Sequence, residues 1–150
     1  MYRFIVARLV RRSYTQINRG EFDRVANLFA HSAVLCLAGD HLLGGERHGR
    51  DEIRAWFESV GRLFPGFRLE PLAIVVGGWP WNTHVTVRFR VRAQLPDGRP
   101  YTNEGMQFLR LRWGRAMEDY LYEDTQRLAA ALDRVEAKVT DERGVKGSVK

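Results

Sequence analysis

The sequence predicts a single α+β domain, a curved antiparallel sheet covered by three N-terminal helices around an apolar pocket. Three observations point there. Up to Phe64 the apolar residues recur at helical spacing. From Phe67 onward they alternate as in strands, with turn signals between the runs. A chain of 150 residues with a 45% apolar share suits one domain with one core. Helices grouped first and strands after imply layers of the two kinds packed together.

The first helix is expected from about Arg3 to Asn18. Val6, Leu9, Val10, Ser13 and Ile17 form one mostly apolar face, and Gly20 ends it. A second, shorter helix carries Phe22, Val25, Ala26 and Phe29 in one stripe. Ala33 to Ala38 is a nearly continuous apolar run and reads as a buried strand; Gly39-Asp40 and Gly44-Gly45 then mark a loop. The third helix starts near Asp51. Asp51 and Glu52 favour its N-terminal dipole, Ile53, Trp56, Phe57, Val60 and Phe64 make its stripe, and Pro65-Gly66 stops it.

Four strands are expected over Phe67–Val76, His84–Leu95, Tyr101–Arg112 and Arg115–Tyr122. Gly77-Gly78, Pro96-Asp97-Gly98 and Trp113-Gly114 supply the turns. Pro71 marks its strand as an edge or a bulged one. Leu128, Ala131, Leu132 and Val135 indicate a last helix. The domain is expected to span residues 1–135, with 136–150 a polar, disordered tail.

No apolar run approaches the roughly 20 residues of a membrane span, and the N-terminus lacks the order of features in a signal peptide. A cytoplasmic protein is the expectation. Cys36, the single cysteine, reads as a buried inert thiol between Leu35 and Leu37. The net charge is +6. Arg3, Arg8, Arg11, Arg12 and Arg19 fit a solvated helix face better than a nucleic-acid site. His31, His48 and His84 show no metal-ligand spacing, so neither metal nor cofactor is expected.

Several local strings carry a resemblance. They are Arg19-Gly20-Glu21-Phe22-Asp23 with Leu28-Phe29-Ala30, then His48-Gly49-Arg50-Asp51-Glu52-Ile53, then Gly114-Arg115 leading to Tyr122-Glu123-Asp124-Thr125. Over roughly residues 5–132 their order resembles the nuclear transport factor 2-like superfamily, especially its SnoaL-like branch. The resemblance implies a cone-shaped fold and a homodimer formed through the outer face of the sheet. It also implies a small apolar ligand, and the chemistry of ketosteroid isomerases, limonene-type epoxide hydrolases or polyketide cyclases.

Each chemistry needs particular groups. An isomerase needs a carboxylate base and acidic donors around an enolate. The resemblance puts the base on Leu37, the tyrosine donor on Ser13 beside Tyr14, and the acid on Gln107. For an epoxide hydrolase the arginine falls on Arg88, but the two aspartates fall on Arg90 and Leu121, and the water-holding pair on Leu35 and Leu37. A cyclase acid/base also falls on Leu121; a one-residue slip would turn Tyr120 or Tyr122 inward instead.

The candidate catalytic residues are therefore Asp119, Glu123, Arg88 and Gln107. Leu35, Leu37, Trp56, Arg90, Leu121, Tyr14 and His41 are the candidate pocket residues. Arg90 facing Asp119 or Glu123 would suit a polar or anionic ligand end. The strand over 84–95 leaves two parities open: arginines inward by the resemblance, or Val85, Val87, Phe89 and Val91 inward by hydrophobicity. Asp40-His41 could cap the pocket mouth as an acid/base pair. Trp79-Pro80-Trp81 tips a hairpin and would pack on a partner subunit or lid the pocket. The expected function is acid/base chemistry on an apolar polyketide-, terpenoid- or steroid-like substrate. The alternative is a non-catalytic ligand-binding or dimerisation domain.

Overall fold

The N-terminal apolar stripe folds as expected. Val6, Val10, Tyr14 and Ile17 are buried along one side of α1 (Tyr2–Asn18), and Gly20, at φ 70°, turns the chain out of it. A short α2 (Phe22–Ala26) follows. The long α3 (Gly49–Leu63) buries Ile53, Trp56 and Phe57. Its Glu52 carboxylate accepts a 2.7 Å hydrogen bond from the backbone N–H of His48, at the positive end of the helix. The computed structural model describes the backbone of residues 1–147 and the side chains of residues 1–140.

Six strands form one open, curved sheet: β1 (Phe29–Leu37), β2 (Gly45–His48), β3 (Arg68–Trp79), β4 (Asn82–Gln94), β5 (Pro100–Arg112) and β6 (Arg115–Glu123), in the order β2-β1-β6-β5-β4-β3. β3 is an edge strand and its register shifts between Pro71 and Ala73, so the proline marks both an edge and a bulge. Two features depart from expectation. Where a loop is expected, β2 pairs with β1 as a short strand that its flanking glycines hide in the sequence. β1 runs parallel to β6, against an otherwise antiparallel sheet.

The parity of β4 follows hydrophobicity. Val85, Val87, Phe89 and Val91 are buried under the helices, while Arg88 and Arg90 project from the opposite face. Burying two guanidinium groups without fixed partners would forfeit several kcal/mol of hydration, whereas burying the valines and Phe89 gains about 1.5–3 kcal/mol each. The arginines instead meet Glu104 on β5, Arg90 through Nη2 at 2.9 Å and Arg88 through Nη2 at 3.1 Å.

The C-terminal boundary also differs. α4 (Thr125–Gly147) continues past residue 135, with Leu128, Ala131, Leu132 and Val135 buried on one side. The tail expected over 136–150 is thus helical to Gly147; its last three residues lie outside the described residues. Cys36 is half-buried on the outer face of the sheet rather than inside it.

Candidate functional site

Strand alternation decides which side chains face the helices. On β5 the inward positions are Tyr101, Asn103, Gly105, Gln107, Leu109 and Leu111; on β6 they are Asp119, Leu121 and Glu123. Between this surface and the helices lies a cavity of about 110 Å³. Its wall is apolar, built from residues such as Leu37, Trp56, Phe89 and Leu121, with Tyr14, Tyr101, Gln107, Asp119 and Glu123 as its main polar groups.

Asp119 is the centre of one cluster. Its cross-strand neighbours are Leu35 on β1 and Leu109 on β5, so the sheet offers the carboxyl no cation. Gln107 Nε2 donates to it, 2.9 Å from Oδ1 and 3.0 Å from Oδ2. The Tyr14 hydroxyl donates in turn to Gln107 Oε1 at 2.9 Å. Burial raises the Asp119 carboxyl to about pH 7, against the smaller opposing effect of the Gln107 hydrogen bond. Burial, with the charges of Asp119 and Glu123, pushes the Tyr14 hydroxyl upward, so it stays protonated and donates.

Glu123 centres a second cluster. Asn103 is fully buried; its Nδ2 donates to Tyr101 Oη at 2.9 Å and to the Asp124 carbonyl at 3.0 Å, and lies 3.4 Å from Glu123 Oε2. Burial raises Glu123 to about 7 as well. Four residues of strand, roughly 13 Å, separate it from Asp119. Each carboxyl therefore titrates in its own surroundings.

The register explains an apparent loss. The resemblance placed a catalytic carboxylate on Leu121, and Leu121 does line the cavity. The acids stand two residues to either side, where strand parity keeps them on the same face. Asp119, Glu123, Gln107, Tyr14, Leu37, Trp56 and Leu121 all line this one cavity. Trp56 Nε1 is fixed on the Leu43 carbonyl at 2.9 Å.

Four expectations are corrected. Arg88 and Arg90 lie on the outer face, for the reason given above. Leu35 is fully buried beside Asp119 but packs in the core, outside the cavity wall. His41 turns its Nε2 to the Ala38 carbonyl at 3.2 Å and lines no part of the cavity; Asp40 beside it is exposed. With the arginines on the outer face, no cation among the described residues faces the carboxyls, and an anionic ligand end is disfavoured. Tyr101 and Asn103 were not singled out from sequence. Extending the parity of Gln107 back along β5 reaches both.

A family model described as the SnoaL-like domain matches residues 10–118. Among curated proteins none matches the chain. Solved structures do. A nuclear transport factor 2-like protein of unknown function from Burkholderia pseudomallei is 24% identical, covering 85% of this chain and 96% of that one, with a TM-score of 0.75. PrhC from Penicillium brasilianum is 18% identical, covering 92% of each chain, with a TM-score of 0.78. SalBIII, an epoxide hydrolase/cyclase-like enzyme in pyran ring formation in the polyether salinomycin, is 17% identical, covering 81% of this chain and 92% of that one, with a TM-score of 0.67. At such identities these structures attest the fold alone. Together with the match over residues 10–118, the element order and the helix-covered sheet make this chain a member of the SnoaL-like domain family.

Proposed function

We propose that the domain performs acid/base chemistry on a small, neutral, mostly apolar molecule, with Asp119 as the principal proton carrier. One observation carries this reading: a fully buried carboxyl, held near pH 7 without a cation, opens on an apolar cavity. A group titrating near neutrality is populated in both forms, so it can take a proton and return one. Gln107 and Tyr14 fix its orientation. Glu123, similarly raised, is the second proton site. The class of compound is polyketide-, terpenoid- or steroid-like, entering by one end. Pockets for drug-sized ligands run to roughly 300–1,000 Å³, so the present cavity takes a one-ring fragment.

The experiment is hydrogen exchange at carbon. A panel of cyclic ketones, enones and terpenoid carbonyl compounds is incubated with the protein in D₂O, and deuterium uptake is read by mass spectrometry. Protein-dependent uptake that is lost in Asp119→Asn supports the reading. Uptake unchanged in that variant removes Asp119 from the chemistry.

The small cavity also favours a second reading, a non-catalytic ligand-binding or dimerisation domain. Its support lies on the other face of the sheet. The registers place Val75, Thr86, Phe108, Tyr120 and Cys36 in one outward row. Val75 is 67% exposed, and Trp79, Trp81 and Trp113 cluster beyond the row at the hairpin tips. Such an apolar surface suits a second copy of the chain. Dimerisation through this face is compatible with chemistry in the cavity, because the two use opposite faces of the sheet.

A further inference from the structure

The Tyr101 hydroxyl is bonded in a way that leaves its proton unused. Asn103 Oδ1 accepts from the backbone N–H of Glu104 at 2.9 Å, which fixes the amide so that Nδ2 faces Tyr101. Nδ2 donates to Tyr101 Oη, so the tyrosine oxygen is the acceptor of that bond. Its own O–H donates to no acceptor among the described residues. The ring is held by stacking on Phe64, with centroids 5.4 Å apart and planes inclined by 23°. Tyr101 is buried and lines the cavity. An unspent donor in an apolar cavity is destabilising unless something accepts its proton.

We propose that Tyr101 is the ligand-facing hydrogen-bond donor of the cavity, and that the ligand presents a neutral oxygen acceptor, a carbonyl, ether or hydroxyl, to it. The proposal rests on the cavity being a ligand site, and it adds which end of the ligand is read and by what. Asp119 and Glu123 disfavour carboxylate and phosphate ends, since an unpaired anion beside either would lie in a medium of low polarity with no cation among the described residues. Burial pushes the Tyr101 hydroxyl upward, which keeps it a donor over the physiological range.

The test uses two probes of like shape. Cyclohexanone carries the oxygen; methylenecyclohexane replaces it with a carbon. Binding of each to the full chain and to Tyr101→Phe is measured by NMR titration, and the shift of [1-¹³C]cyclohexanone is followed in both. The proposal expects Tyr101→Phe to weaken cyclohexanone by about fivefold, the worth of one neutral hydrogen bond, and to leave methylenecyclohexane unchanged. It also expects the bound carbonyl carbon to shift downfield in the parent and to lose that shift in the variant. The carbon shift reports the hydrogen bond itself, which a general loosening of the cavity would not remove selectively. Equal affinities of parent and variant for cyclohexanone, with no change in the shift, overturn the Tyr101 proposal and leave the cavity reading standing. Failure of both compounds to bind the parent overturns both.

Discussion

Gln107 presents one amide nitrogen to both oxygens of Asp119, at 2.9 and 3.0 Å, inside a wall that carries no positive charge among the described residues. An amide shared in this way orients a carboxyl without neutralising it. The carboxyl therefore keeps its proton far above its ordinary range, and that has consequences for stability.

The sign follows from comparing the folded and unfolded states. Unfolded Asp119 ionises near pH ~3.9; folded, it ionises at about 7. Between those values the folded protein holds a proton that the unfolded chain does not, so this group makes stability fall as pH rises through the interval, and level off above it. Glu123, also raised to about 7, adds to the same trend. Asp119→Asn should thus be more stable than the parent at pH 8, by an amount on the order of a few kcal/mol, and close to it at pH 4. Urea unfolding at the two pH values measures this. An equal difference at both would show that the folded carboxyl titrates normally.

Tyr14→Phe removes the donor from Gln107 Oε1 and leaves that oxygen buried and unpaired, since the ring is 4% exposed and no other donor reaches it among the described residues. A loss of about 1–3 kcal/mol is expected. Chemical unfolding at pH 5, where Asp119 is protonated in the folded state, isolates this effect from the titration.

Gly105 sits opposite Glu123 between the two polar clusters. A Cβ there would come within 2.5 Å of the Tyr122 carbonyl oxygen and 2.7 Å of Phe89 Cζ. Gly105→Ala should cost about 1–3 kcal/mol through displaced backbone and ring. It should also shift the Glu123 titration, readable by carboxyl NMR, while the more distant Asp119 moves less.

The outer face predicts an oligomer. Phe108→Glu places a charge in the middle of the row from Val75 to Cys36. Sedimentation velocity should find a dimer for the parent and a monomer for the variant, with the Asp119 titration intact. A monomeric parent would remove this interface. Arg88→Ala and Arg90→Ala, on the same outward face, should leave binding in the cavity unchanged, because their partners, Glu104 for both and Glu70 for Arg90, lie outside the cavity.

Most of the fold was legible because hydrophobic period reports burial directly. The stripe from Val6 to Ile17 specifies a helix and its buried side, the alternation from Val85 to Val91 specifies a strand, and the proline at 71 specifies an edge or a bulge. The site was less legible, for two physical reasons. Alternation alone is symmetric, so the choice between Val87 and Arg88 as the inward residue rests on comparing burial energies, and the resemblance favoured the costlier option. A register is also easily misplaced by two residues, since that shift preserves the face: the acid sought at Leu121 stands at Asp119 and Glu123. Tyr101 and Asn103 gave no signal of their own. Their role comes from the amide geometry of Asn103, which no spacing encodes.

Chemistry in the cavity depends on Asp119 carrying a proton at near-neutral pH. A ¹³C NMR titration of the aspartate side-chain carboxyls, assigned by loss of the signal in Asp119→Asn, reads that proton. The expected midpoint for Asp119 is about 7. A midpoint at the ordinary value of ~3.9 rules out Asp119 as the proton carrier.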